Sequence, residues 1–204
     1  MFYETKANEH GLPHDPFKSC VVPRPIGWIS TVSAAGIVNL APYSFFNAVA
    51  SDPPMVMYCS NGPATRPSKD NLANIEATGE FVYNVATWDL RDPMNASSAA
   101  VAPEIDEFPL AGLTPAPARL VRPPRVAESP IHLECRLHQV IDLPCDTPGA
   151  RNAMVLGRVL GVHIDERVLT DGLVDMAKLR PIARLGYMDY ARVDFVFSMR
   201  RPSV

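Results

Sequence analysis

The sequence predicts a mainly β protein, an antiparallel β-barrel with short helices appended. Two observations carry this. Six or seven strand-length apolar runs appear, with hairpins early and no continuing strand–helix–strand series, which argues against a doubly wound sheet. The chain also holds 21 prolines in 204 residues. They gather in 103–130 and flank the other segments, an interruption that a long-helix bundle does not tolerate.

Residues 1–25 read as an extended lead-in. Ile26–Val32 and Ile37–Tyr43, joined by Ser33-Ala34-Ala35-Gly36, read as a hairpin. Asp52-Pro53-Pro54 breaks the chain before a buried strand, Met55–Ser60. The loop at 61–67 follows, then a helix over 68–79 with Ser68 as N-cap, Leu72 and Ile75 on one face and Gly79 closing the end. Glu80–Ala86 alternates, with Phe81, Tyr83 and Val85 on one face, and a second short helix covers Asp89–Ala100. The Pro-rich stretch 101–130 reads as irregular. Ile131–His138 alternates without fault, as a half-buried strand with His132 and His138 on its polar side. Met154–Ile164 is an apolar strand in which Gly157 and Gly161 mark a bend or a close approach. Alternation of Val193, Phe195, Phe197 and Met199 predicts a last strand.

The charge balance is 19 basic against 22 acidic residues, net −3. That excludes the basic excess of a nucleic-acid footprint, so a bound phosphate must be met by a local arrangement. The four cysteines, Cys20, Cys59, Cys135 and Cys145, form no CxxC, and the apolar surroundings of Cys59 and Cys135 suit buried thiols. No apolar signal region opens the chain and no run reaches spanning length. These features set the expectation of a cytoplasmic protein with no membrane partner.

Two constellations suit ligand chemistry. Arg66 and Lys69 flank a helix start at Asp70-Asn71, where free amides and two cations favour a phosphate monoester; an ordinary solvated helix start fits the same pattern. In Asn39–Asn47, Ser44 and Asn47 bracket Phe45-Phe46 just after a strand. Such a turn can present polar groups to the edge of a heterocycle and apolar groups to its faces; a core aromatic pair fits equally. His163, inside the long apolar strand, stands either beside a pocket or as a satisfied core histidine. No residue spacing suits a metal site, no GxSxG elbow occurs, and no GxGxxG fingerprint exists to hold a dinucleotide.

The run Pro23-Arg24-Pro25-Ile26-Gly27-Trp28-Ile29-Ser30-Thr31, then Gly36, then Asn39-Leu40-Ala41-Pro42-Tyr43-Ser44-Phe45-Phe46-Asn47, then Asp52-Pro53-Pro54, resembles the signature of the flavin-reductase-like, FMN-binding split-barrel family. Similarity continues through Lys69-Asp70-Asn71, Asn74-Ile75 and Thr78–Asn84, and more weakly at Gly157–Asp165 and Arg184-Leu185-Gly186 with Tyr190. It covers about 20–190 of a chain read as one domain, 1–204. The resemblance implies that Trp28, Ile29, Ser30, Thr31, Tyr43, Ser44, Phe45, Phe46 and Asn47 line the flavin, with Ser60, Arg66, Lys69, Asp70 and Asn71 at its phosphate and ribityl end. It places His163, Arg184 and Tyr190 on the nicotinamide side. It further implies a homodimer and NAD(P)H-dependent reduction of flavin, feeding a partner oxygenase. Two alternatives stand beside this: a flavin carrier or store without turnover, and the related oxidases of pyridoxine-type phosphates, which the signature blocks fit less well. Two departures stand out. Asn71 occupies a position where the family often has Thr, and Tyr187 one where it often has Gly.

Overall fold

In the computed structural model, which describes residues 1–65 and 68–202, seven antiparallel strands form one curled sheet. In chain order the elements are β1 (Arg24–Pro25), β2 (Gly27–Val32), β3 (Val38–Tyr43), β4 (Phe46–Ser51), β5 (Pro54–Gly62), α1 (Asp70–Thr78), β6 (Glu80–Val85), α2 (Arg91–Ala96) and α3 (Glu107–Leu110). They continue with β7 (Pro115–Ala116), β8 (Arg125–Val126), β9 (Ile131–Leu143), β10 (Arg151–Ile164), β11 (Leu169–Thr170), β12 (Leu173–Val174), α4 (Met176–Leu179), β13 (Ile182–Arg184) and β14 (Tyr190–Arg192).

The sheet runs β3-β2-β6-β9-β10-β5-β4. Its edges, β3 and β4, follow one another in sequence, yet among the described residues no ladder joins them. Aromatic contacts hold the curl instead. Tyr43 at one edge lies 4.6 Å from Tyr58 of β5, and Phe46 at the other edge stacks on Tyr83 of β6 at 4.5 Å. Offset pairs of this kind add about 0.5–1.5 kcal/mol beyond their buried area.

Alternation fills the barrel. Val56, Tyr58 and Ser60 of β5 turn inward opposite Gly157, Val155 and Ala153 of β10. Gly157 leaves room for the Phe81 ring, which a Cβ there would overlap, and the β9–β10 register shifts beside Gly157 and Gly161. The bend expected at these glycines is therefore present. Leu72 and Ile75 of α1 plug one end of the barrel, both wholly buried, each contributing roughly 1.5–3 kcal/mol. β2 is buried on both faces. Ile29 enters the barrel core, while Trp28 joins Leu40, Met94, Phe108 and Val126 in a second core outside it.

Several sequence expectations need correction. The helix start is capped at Lys69, not Ser68, and no side chain caps it. The second helix is shorter than expected, Arg91–Ala96. Phe46–Ser51 is a strand. The last strand ends at Arg192; Phe195, Phe197 and Met199 beyond it are exposed. Alternation there signals an extended chain but supplies no partner strand. The polar side of β9 is not solvated at His132 and Glu134, which are 3% and 0% exposed. The Pro-rich segment lies over them: Arg119 and Leu120 donate backbone N–H bonds of 2.8 and 2.5 Å to the Glu134 carboxylate. All four cysteines are free thiols, Cys135 buried and Cys59 half-buried. Among the described residues no helix is long and apolar enough to cross a membrane.

Candidate functional site: a cationic groove at the split of the barrel

Where β3 turns into β4, the Tyr43-Ser44-Phe45 corner opens onto a cavity of about 270 Å³. Lys69 reaches it from the start of α1, and Lys18 from the short 3-10 turn Phe17–Ser19. Arg24 and Arg184 are register partners across the β1–β13 ladder, which brings both guanidinium groups to the same wall. Pro42, Cys59, Asn61 and Tyr187 complete the lining, which among the described residues contains four cations and no carboxylate.

Among the described residues, no carboxylate accepts a hydrogen bond from either arginine. Arg24, 6% exposed, donates to the carbonyls of Lys18, Val21 and Leu185, and its buried Nε has no partner among the described residues. It also lies over the Phe45 ring at 5.8 Å. Burial, and then the neighbouring charge of Arg184, hold its pKa below the ordinary arginine value. Arg184 donates to the Tyr190 hydroxyl at 2.5 Å and to the Tyr187 carbonyl. Lys69 Nζ sits 5.6 Å from the Tyr43 ring centre, and loss of hydration lowers its pKa. Such an arrangement is complementary to an anion. A phosphate there would relieve the mutual repulsion.

A second cavity of about 250 Å³ adjoins the first across Pro42, Tyr43 and Lys69. Its chemistry is opposite. Asp70 and Glu107 line it, Glu107 accepting from Asn39 Nδ2 at 2.6 Å and Leu40 N at 2.9 Å. Burial raises the Glu107 pKa.

The structure gathers only part of the expected residue set. Tyr43, Ser44, Phe45, Lys69 and Arg184 line the cationic groove; Asp70 and Asn71 line the adjoining cavity. Asn71 does not offer its amide freely: Nδ2 donates to the Ile29 carbonyl, and Oδ1 accepts from Thr31 at 2.7 Å. Trp28 and Ile29 are core residues, Trp28 donating to Ser97 Oγ at 2.9 Å. Ser30 donates to the Pro124 carbonyl. Ser60 is buried inside the barrel, Phe46 is stacked on Tyr83, and Asn47 caps the next backbone N–H at 2.9 Å. Arg66 lies outside the described residues. Tyr190 is in a third cavity, behind Arg184. His163 is not brought to the groove; it pairs with Glu134 at 2.5 Å on the far part of β10 and meets His132 edge-on at 5.9 Å. Lys18, Arg24, Cys59 and Asn61 were not anticipated. Arg24 had a visible signal, an arginine between two prolines at the mouth of a buried strand.

Tyr187 has φ +54°, the left-handed region that favours glycine. The glycine that the resemblance leads one to expect there has a backbone reason. In this chain a tyrosine takes the strain, and its ring rests 5.7 Å from that of His14.

Comparison with known proteins identifies the family of this split barrel. The model of the flavin reductase like domain matches residues 19–183, and the chain belongs to that family. An uncharacterised protein of Aquifex aeolicus is 36% identical over 84% of this chain and 85% of its own. Nitrilotriacetate monooxygenase component B from Bacillus cereus superposes with a TM-score of 0.90 at 28% identity, covering 98% of both chains. Flavoredoxin of Desulfovibrio vulgaris shares the fold, with a TM-score of 0.75 at 22% identity over 88% of this chain and 91% of its own.

Proposed function

We propose that this chain binds FMN in the cationic groove and reduces it with NAD(P)H, as a cytoplasmic homodimer of single-domain subunits that supplies reduced flavin to a partner oxygenase. The carrying observation is the groove itself, which among the described residues brings four cations and no carboxylate to the aromatic corner Tyr43–Phe45. Lys18, Arg24, Lys69 and Arg184 would hold the phosphate, and the Tyr43–Phe45 corner would meet the ring system. Bound FMN supplies the hydride-accepting chemistry, so the chain needs no acid or base of its own. Its residues bind, orient and partly shield the ligand. The oxygenase partner is suggested by the similarity to a monooxygenase component B.

A carrier without turnover is the second reading, favoured by the Tyr187 side chain in the groove lining. Equilibrium dialysis with FMN, then anaerobic stopped-flow mixing of the loaded protein with NADH and with NADPH, separates the two. Stoichiometric FMN uptake and bleaching well above the rate for free FMN are expected. Absence of FMN uptake overturns the whole reading; bleaching no faster than free FMN with both donors leaves the carrier.

A further inference from the structure

Arg184 lines two cavities. One is the cationic groove; the other, of about 340 Å³, lies on its far side, against α2 and β14. Trp88, Met94, Ile182 and Tyr190 give this second cavity an aromatic and aliphatic wall. Trp88 and Tyr190 are 37% and 39% exposed, so both rings can be reached from solvent. Guanidinium groups lie on both rings, Arg91 and Arg192 over Trp88 at 4.3 and 5.2 Å and Arg184 over Tyr190 at 4.5 Å. The three cations differ in what they already meet. Arg91 has Asp92 at 3.4 Å and Arg192 has Asp194 at 2.7 Å, whereas among the described residues the hydrogen bonds of Arg184 go to a hydroxyl, a carbonyl and the Met188 sulfur. An anion entering this cavity is therefore drawn to Arg184, the side that faces the groove.

We propose that the cavity behind Arg184 is a second ligand site, taking a planar aromatic ring that carries an anionic group. The ring packs among Trp88, Met94 and Tyr190, and the anion meets Arg184. This rests on the flavin-groove reading for its purpose, since a ligand so placed sits one side chain away from the groove. The volume is at the lower end for small-molecule sites, which suits a single small ring system or a nucleobase with its sugar. The same chemistry has two sources, the adenosine diphosphate half of a dinucleotide or a free aromatic carboxylate.

The test is equilibrium dialysis of the FMN-loaded protein against 5′-ADP and benzoate, with adenosine and benzamide as uncharged counterparts, repeated on Trp88→Ala. Saturable binding of 5′-ADP or benzoate at about millimolar concentration or below is expected. The uncharged counterpart should bind about tenfold more weakly, as for a lost charge-assisted hydrogen bond. Trp88→Ala should weaken the anionic probe by about tenfold, the size of one lost stacking contact, with FMN uptake unchanged. Binding of 5′-ADP alone supports the site and assigns it to the dinucleotide; binding of benzoate alone supports it and assigns an aromatic acid. Binding of neither, equal binding of the uncharged probes, or indifference to Trp88→Ala overturns it. If the protein takes up no FMN, the flavin reading fails separately. The same titrations on the unloaded protein, read through their dependence on Trp88, then decide the second site.

Discussion

Acidification should destabilise this fold through His132, by an amount its surroundings set. The imidazole is 3% exposed. Nε2 is 2.8 Å from the Val126 carbonyl, to which it donates, and the buried Nδ1 has no partner among the described residues. Burial, with Arg125 and His163 acting in the same direction, pushes its pKa from 6.5 down to about 4, against the opposing pull of the Val126 carbonyl and Glu134. The folded state thus holds the neutral ring, and the unfolded chain takes up the proton first. Stability is fully present above the unfolded value of 6.5, falls as pH drops below it, and levels off below about 4. At about 1.36 kcal/mol per tenfold, linkage gives a loss of about 2 kcal/mol on going from about pH 7.5 to about pH 5, and about 3 kcal/mol by about pH 4. Urea unfolding of the FMN-free protein at these pH values measures it. Glu134 and other carboxylates also titrate toward the acid end, so the quantity that isolates His132 is the difference from His132→Gln, whose amide can still donate to Val126. The variant should lose the corresponding part of the pH dependence. Parallel stability–pH curves for the two proteins would refute the reasoning.

Lys69→Ala should weaken FMN by about 1.5–3 kcal/mol, the scale of one charge-assisted hydrogen bond, and leave riboflavin, which lacks the phosphate, nearly unaffected. Titration of flavin fluorescence with both ligands checks this, and equal losses would place Lys69 outside the phosphate contact. Gly27→Ala should destabilise the protein by about 1–3 kcal/mol through overpacking. Its Cβ would stand 2.6 Å from Phe46 Cδ2 and 2.9 Å from Phe46 Cβ, and stacking on Tyr83 leaves that ring little freedom. An unchanged urea midpoint would show that the β2–β4 approach relaxes freely.

The elements legible in the sequence are those whose signal is local. The β2–β3 hairpin, the buried β5, α1 with Leu72 and Ile75 on one face, and the glycine bend in β10 all follow from periodicity and breakers within a few residues. The Tyr43–Phe45 corner and Lys69 were legible for the same reason. What failed depends on distant chain. His132 and Glu134 alternate with apolar neighbours as solvated residues do, but backbone groups of distant chain meet them, the N–H groups of Arg119 and Leu120 at Glu134 and the Val126 carbonyl at His132, groups that no sequence pattern marks. Arg24 and Arg184 become neighbours only through the β1–β13 register. His163 lies in an apolar strand as a pocket residue would, but a carboxylate on the adjacent strand takes its ring.

The segment that carries Arg184 to the groove shows how such an unneutralised cluster is sustained. Two non-glycine residues flank it in the left-handed region, Arg180 at φ +46° and Tyr187 at φ +54°, conformations that cost of order 1–3 kcal/mol each. Gly186 between them passes so close to Ser19 that a Cβ would stand 3.0 Å from its Cα. Against these costs stand specific bonds. Trp88 N donates to Arg180 O at 2.9 Å, Ile182 N to Ala86 O at 3.0 Å, and Leu185 N to Asp189 O at 3.0 Å, while Arg24 itself donates to the Leu185 carbonyl at 2.7 Å. One arginine is thus part of the scaffold that positions the other. Like charges placed together by a strained, well-bonded turn remain repulsive until a ligand supplies the counter-charge. An anion that bound only the folded form would add its binding free energy to the stability of the fold, this turn included.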